Sequence, residues 1–360
     1  MILKVIIPHL FKKEKDYFVS LTKNFFSDKI INCTTSIKEE HQAMKPYFFS
    51  ADEYFKETFG KKMYRLSLDG GMTCPNRDGT KGMGGCIFCN AMGSGDFAVP
   101  RKVTITEQLE AAKGRVKNKL PKNGAPYGYV AYYQSFTNTY APIEYLRSLF
   151  NETILHSEIE ALFIGTRPDC LPEPVLTLLK ELTAIKPVYV ELGLQTAKQE
   201  SVTYINRCYD NSVFEQAVRK LSALGIPVIV HCILGLPYET IDDMKHTVDY
   251  ICALPIHGIK LQLLHILKGT GLANDYENFL QNHAFACMER EQYFHVLSEM
   301  LPRIPSHIVI YRLTGDGPRN QLIAPLWSTD KKRVQNDLRK LLKEKNIIQG
   351  GNLPTCNPML

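Results

Sequence analysis

Three cysteines, Cys74, Cys86 and Cys89, fall within sixteen residues of a Gly-rich stretch running from Leu68 to Asn90. Thiolates are ligands for soft metals, and glycines let a backbone fold tightly around a bulky ligand. In a chain with ten cysteines the Cys86–Cys89 pair alone carries little weight, but a third cysteine twelve positions upstream gives the group the shape of a site. Cys33, Cys170, Cys208, Cys232, Cys252, Cys287 and Cys356 are scattered singly. A structural zinc site normally closes with four Cys or His, and neither His41 nor Cys170, the nearest candidates outside the stretch, is close in sequence. Four-cysteine iron–sulfur clusters are likewise one ligand short. A cluster held by three thiolates would leave one iron open to an exogenous ligand, as a catalytic site requires. The spacing leaves three readings open: an open iron–sulfur cluster, zinc with a distant fourth ligand, or no metal.

The elements that must position this loop can be read from apolar runs bounded by Gly, Pro or polar turn residues. Six buried strands are expected at Tyr64–Leu68, Tyr129–Tyr133, Ala161–Ile164, Val188–Leu192, Val228–Leu234 and Ile259–His265. Helical stretches lie between them. Thr104 with Glu107 and Ser212 with Glu215 read as capping boxes, and Gly225 as a helix C-terminal stop. Strand and helix alternating at this interval mean βαβ units and a parallel sheet. Polar residues gather after the C-terminal end of strand after strand: Asp69, Gln134 to Thr139, Thr166 to Asp169, Gln195, His231 to Glu239, and His265 to Thr270. That is the active-site face of a barrel or partial barrel. The rival, an open doubly wound sheet, lacks its Gly-rich phosphate turn after the first strand.

The composition is that of a globular protein. With 360 residues, 44% hydrophobic and 22% charged, the chain can bury one large core or two modest ones, which excludes a disordered tail or a fibre. A core of that size also argues against a secreted disulfide scaffold. Lys+Arg 43 against Asp+Glu 37 gives a net charge of +6, compatible with a large anionic partner but not diagnostic of one. No apolar run is long enough to span a bilayer, and the first residues, broken by Lys4 and Pro8, have no signal-peptide cleavage site, so a soluble cytoplasmic protein with no membrane partner is expected. Residues 1–45 read as an extension, or as an over-long start with the initiator at Met44. A core barrel is expected over 46–305, a C-terminal extension over 306–350 and a tail over 351–360.

Taken together, these residues resemble the radical S-adenosylmethionine (SAM) enzymes, in the branch related to the catalytic subunit of Elongator, and within it the YhcC/YtqA-type proteins. The resemblance is carried by Leu68 to Ala98, Tyr132 to Pro142, Ala161 to Pro172, Glu191 to Thr196, Ile205 to Asp210, Gly235-Leu236-Pro237, Leu263 to Thr270, Tyr311 to Pro318 and Ala324 to Trp327. It covers about residues 45 to 345. The superfamily's tight Cys-x3-Cys-x2-Cys is replaced here by a first gap of eleven residues. The resemblance implies an α/β fold, a partial (β/α)6 TIM-like radical SAM barrel with a short α-rich C-terminal extension. It also implies a [4Fe-4S] cluster on Cys74, Cys86 and Cys89 whose open iron chelates the amino and carboxylate groups of SAM. Electron transfer then cleaves SAM to methionine and a 5′-deoxyadenosyl radical, which takes a hydrogen atom from substrate.

Residue by residue, the resemblance assigns Gln195 to the SAM ribose, Arg207 to the SAM carboxylate and Phe88 to the side of the adenine. Gln134-Ser135-Phe136 replaces the superfamily's Gly-Gly-Glu, which puts the SAM ammonium contact in doubt, and His231 stands where some relatives carry an acid. Arg167 and Asp169 could pair with each other on the rim or serve the site; Tyr132, Tyr133 and His265 read as core or rim. The resemblance points to the 5-position side chain of the tRNA wobble uridine, converting carboxymethylaminomethyl to aminomethyl, with tRNA as partner and flavodoxin or ferredoxin as electron donor. Fewer than 100 residues follow the sixth strand, too few for Elongator's acetyltransferase domain. The alternatives are a radical SAM enzyme acting on a peptide or small metabolite, or a non-catalytic zinc-bearing binding module. Lys331 to Lys345, with seven cationic residues, is the segment expected to meet a phosphate backbone.

Overall fold

The computed structural model describes residues 47–353 apart from 94, 100–103 and 316; the expected N-terminal extension and residues 354–360 of the expected tail lie outside the described residues. Among the described residues the strands are β1 (Lys62–Leu68), β2 (Tyr127–Tyr133), β3 (Ile159–Thr166), β4 (Val188–Gln195), β5 (Val228–Leu234), β6 (Gly258–Leu263), β7 (Ile266–Leu267), β8 (Val309–Arg312) and β9 (Leu322–Ala324). The helices are α1 (Ala51–Phe59), α2 (Ile105–Val116), α3 (Ile143–Ile154), α4 (Glu173–Thr183), α5 (Gln199–Tyr204), α6 (Asn211–Ala223), α7 (Ile241–Cys252), α8 (Gly271–Gln281), α9 (Arg290–Met300) and α10 (Lys331–Glu344).

Seven strands pair in parallel in the order β1-β2-β3-β4-β5-β6-β8, each joined to the next by a helical crossover. All six strands expected from the apolar runs are present. The seventh, β8, was not foreseen because it is four residues long and lies where the strand–helix alternation fades. It pairs beside β6 through Gly258 with Val309 and Ile259 with Ile310. Since β8 lies beyond residue 305, the sheet draws on the expected C-terminal extension as well as on the core. The last helix does the same: Val334, Leu338 and Leu342 of α10 are buried in the main hydrophobic core. Thr104 and Glu107 form the expected capping box of α2. The box expected at Ser212 does not form, because α6 starts at Asn211 and places Ser212 inside its first turn; Glu215 instead accepts from the Tyr250 hydroxyl at 2.8 Å. Gly225 ends α6 as expected, at φ +72°, a conformation glycine adopts without strain.

Period-two alternation sorts the strand residues onto two faces. One face, with Leu66, Tyr133, Leu162, Val190 and Val230, packs against α2 to α4, α6, α7 and α9. The other carries Met63, Val130, Ala161, Tyr189 and Ile229 and forms a second apolar cluster with Phe55 of α1. The sheet curls about this inner face into a half-barrel. Arg65 of β1 lies over Tyr311 of β8, with 5.2 Å from its Cζ to the ring centroid, and 5.4 Å from Phe163 of β3. Tyr54 of α1 meets Tyr189 hydroxyl to hydroxyl at 2.7 Å, so α1 plugs the N-terminal end of the half-barrel. The C-terminal end is left open, which is where the polar residues gather. Among the described residues no helix is long and apolar enough to cross a membrane.

Candidate functional site

The long loop after β1 is folded onto itself and tied to the segment after α5. Arg77 and Asp78 donate their backbone N–H groups to Cys74 O, Gly85 N donates to Asn76 O at 2.7 Å, and Cys89 N donates to Cys86 O at 2.9 Å. Asn76, fully buried, donates its side-chain amide to Asn206 O and to Cys86 Sγ at 3.6 Å. Asn206 in turn donates to Gly85 O at 2.9 Å. Gly93, at φ +57°, is required by close approach: a Cβ there would fall 2.3 Å from the ring of Phe136. The result brings Cys74, Cys86 and Cys89 into the wall of one cavity at the C-terminal edge of the sheet.

The donor set fits a multi-iron cluster. Burial, then the neighbouring Cys89, pushes the Cys86 thiol up to about 12. Such a cluster asks for one thiolate on each of several irons, and three thiols line this one cavity.

Phe88, Gln134, Gln195 and His231 line the same cavity. Gln195 gets there through a break in register at the end of β4, where it adopts φ +63° and accepts from the Tyr209 hydroxyl at 3.4 Å. Ser67 donates to Gln134 Oε1 at 3.4 Å.

Arg207 does not join them. It is fully buried, and its five N–H donors are all taken: Nε and Nη2 donate to Tyr209 O at 3.0 and 2.8 Å, Nη1 to Leu194 O and Thr196 O at 2.7 and 3.0 Å, and Nη2 also to Asn211 Oδ1 at 2.8 Å. A guanidinium has five donors and no more, so none is left for a SAM carboxylate. Three arginines do line the cavity, Arg77, Arg167 and Arg312, and of these Arg167 forks onto Asp169 through Nε and Nη2, both at 2.9 Å, and donates Nη1 to Arg207 O at 3.1 Å. Two of its five donors remain. Arg207 thus acts as scaffold behind Arg167, knitting the end of β4 to the segment before α6.

Deeper in the half-barrel is a charged floor. Glu191 of β4 accepts from the Tyr132 hydroxyl at 2.6 Å, from His231 Nε2 at 2.7 Å and from Lys260 Nζ, while Arg65 Nη1 stands 4.0 Å from its other oxygen. Burial opposes ionisation of Glu191, yet Lys260, His231 and Arg65 together hold its carboxyl well below the usual range. Burial lowers Lys260 to about 7 against the pull of Glu191, and burial together with the Lys260 charge lowers His231 to about 4, so the imidazole is neutral at pH 7. Burial, then Glu191, raises the Tyr132 hydroxyl well above its ordinary value. Arg312, at the end of β8, also lines the cavity. An adjoining cleft, lined by Asn90, Asp96, His265 and Gly315, shares Phe88, Gln134, Gln262 and Arg312 with the cavity and leads out of it. Tyr132, expected in the core or on the rim, is part of the site. Lys260, Arg65 and Arg312 were not singled out at all, although a lysine in the middle of Ile259-Lys-Leu-Gln-Leu263 is a charge inside a buried strand, and that was the available signal.

Comparison with known proteins gives two adjoining family matches, the Radical SAM superfamily over residues 76–251 and the Radical_SAM C-terminal domain over residues 256–344. The chain is 39% identical over 303 residues to "Uncharacterized protein YtqA" of Bacillus subtilis (strain 168), covering 84% of this chain and 92% of that one. It is 35% identical over 296 residues to "Protein YhcC" of Escherichia coli (strain K12), covering 82% of this chain and 92% of that one. Among solved structures, the archaeal Methanocaldococcus infernus Elp3 with an N-terminal deletion superposes with a TM-score of 0.56 at 17% identity, covering 80% of this chain and 64% of that one, a likeness of fold.

Proposed function

The chain belongs to the radical SAM superfamily, whose members use a [4Fe-4S] cluster and SAM, and from that membership we propose that it modifies the 5-position side chain of the tRNA wobble uridine, converting carboxymethylaminomethyl to aminomethyl. Cys74, Cys86 and Cys89 would hold the cluster, and Arg167, Gln195, Phe88 and Gln134 would orient SAM against it. When bound, the cluster supplies the electron that cleaves SAM to methionine and a 5′-deoxyadenosyl radical, which removes a hydrogen atom from substrate. The atom lost would come from the carboxymethyl carbon next to the side-chain amine, where nitrogen stabilises the radical; return of one electron to the oxidised cluster and loss of the amine proton would leave an imine, which water would split into the aminomethyl nucleoside and glyoxylate. The closed N-terminal end of the half-barrel and the apolar layer around Phe55 keep water from entering from below.

The observation that carries this reading is the convergence of the three thiols with Arg167 and Gln195 in one cavity at the open end of a parallel half-barrel. Support for a nucleic-acid substrate comes from α10. Its buried residues dock it on the core, leaving Lys332, Arg339 and Lys343 exposed with no ion pair among the described residues. At seven and four residues apart these three form one stripe along the helix. A small electron-donor protein of the flavodoxin or ferredoxin class would deliver the electron in the cytoplasm. The test is the modified-nucleoside content of tRNA from cells with and without the gene, together with SAM cleavage by the reconstituted protein. Accumulation of the carboxymethylaminomethyl nucleoside at the expense of aminomethyl derivatives is expected. An unchanged wobble-uridine profile refutes the substrate.

A further inference from the structure

The charged floor of the cavity contains more positive charge than its own chemistry requires. Its single carboxylate, Glu191, is bonded to Lys260 and lies 4.0 Å from Arg65, while Arg312 has no ion-pair partner among the described residues. Arg65 sits behind the wall, held among the rings of Tyr132, Phe163 and Tyr311 at 5.7, 5.4 and 5.2 Å. Arg312 faces both the cavity and the cleft that leads to it, and has no hydrogen-bond or ion-pair partner among the described residues. His231 does not add to the count, since it is neutral. Two guanidiniums and a lysine lowered to about 7 therefore face one carboxylate in a half-enclosed site, so positive charge exceeds negative charge there. The surplus is felt by its neighbours: both arginines push the Lys260 ammonium downward, as burial also does.

Depth separates this floor from the SAM-facing rim. Tyr132, Glu191, His231 and Lys260 each precede by two strand positions the rim residues Gln134, Gly193, Ile233 and Gln262, so they lie roughly 6 to 7 Å deeper along the strands. Arg167, which serves the rim, is already forked onto Asp169. The unmatched charge is thus placed for a second ligand and not for the cofactor.

We infer that Arg312 and Lys260, backed by Arg65, form a carboxylate-recognition subsite, and that the group presented to the radical ends in a carboxylate. A guanidinium suits a carboxylate because two parallel N–H donors match its two oxygens. Glu191 keeps Lys260 in place. On the proposed function this anion is the carboxymethyl end of the uridine side chain, and the inference rests on that reading for its substrate, though not for the chemistry of the subsite. It makes the carboxylate the handle that fixes which carbon faces the 5′ carbon of SAM.

The test compares two anticodon stem-loop RNAs that differ at one group, a wobble uridine side chain ending in carboxylate or in the isosteric carboxamide. Dissociation constants are measured on the reconstituted holoenzyme with SAM, for the natural protein, Arg312→Met and Arg312→Lys. The natural protein should favour the carboxylate by about tenfold or more, as losing a charge-assisted contact implies. The preference should collapse in Arg312→Met and be partly kept in Arg312→Lys, a ratio that general damage to the fold would not change. Equal affinity for both RNAs in the natural protein overturns the subsite while leaving a tRNA substrate standing. If neither RNA binds, the tRNA reading fails, and the subsite is decided by small probes: sarcosine should raise the melting temperature of the holoenzyme where sarcosinamide does not, and Arg312→Met should erase the difference. No difference between the two probes overturns the inference.

Discussion

Replacing Arg207 by Met keeps the apolar stem and removes every donor of a guanidinium that the structure uses in full. Four acceptors lose a partner: Leu194 O, Thr196 O, Tyr209 O and Asn211 Oδ1. Leu194 O keeps the backbone N–H of Thr196 at 2.8 Å, so three are left without a described donor. An unsatisfied buried polar group costs about 1 to 3 kcal/mol, which sums to roughly 3 to 9 kcal/mol. Burial disfavours the Arg207 charge, so removing it returns part of that cost, and a net loss of about 3 to 5 kcal/mol is expected. Against a typical total of about 5 to 15 kcal/mol this is a large fraction. At roughly 2 °C per kcal/mol for a chain of this size, it corresponds to a fall in melting temperature of about 6 to 10 °C. Urea denaturation gives the stability, and equilibrium binding of SAM to the reconstituted protein, corrected for the folded fraction, gives the affinity. Arg207→Met should unfold early yet bind SAM normally once folded. Arg167→Met should do the reverse, weakening SAM binding by about tenfold or more with a modest change in midpoint. An Arg207 variant with the natural midpoint and tenfold weaker SAM binding would refute the scaffold assignment and return this residue to the ligand.

Anaerobic reconstitution should load about four irons per chain, and Ala at Cys74, Cys86 or Cys89 should abolish 5′-deoxyadenosine formation while Cys252→Ala does not; about eight irons, or zinc in place of iron, would contradict the site. Charge reversal at Lys332, Arg339 and Lys343 should weaken tRNA binding and reduce the slope of log affinity against log salt by about 2 to 3, at roughly 0.7 to 0.9 per phosphate contact. A natural slope measured by filter binding would remove α10 from the interface. His231 and His257 are both lowered to about 4, chiefly by burial, whereas an unfolded histidine titrates near 6.5. Between those values the unfolded chain binds more protons than the folded one, so these two groups make stability fall as pH drops from about 7 to 5. Urea midpoints across that range should show the fall, and His257→Gln should flatten it; a slope untouched by that substitution would count against the burial argument.

The six longer strands, the parallel α/β class and the cysteine loop were legible because each is written in local pattern. A buried parallel strand is an apolar run whatever it packs against, the Gly225 stop needs only its own backbone, and three thiols in a Gly-rich loop cannot be mistaken for core. Local pattern cannot say which way a side chain ends up facing. Arg207 and Arg167 are both arginines on segments that follow strands, and only the folded chain shows that one spends five donors on backbone and an amide while the other keeps two for the cavity. The Ser212 box failed because two adjacent residue types could begin the helix: the chain takes Asp210 as the N-cap, which puts Ser212 inside the first turn. The floor is the clearest case. Arg65, Tyr132, Glu191, Lys260 and Arg312 come from β1, β2, β4, β6 and β8, spread over nearly 250 positions. What brings them together is the curl of the sheet, a property of seven strands acting at once, and it turns five residues that each look misplaced in an apolar strand into one charged surface.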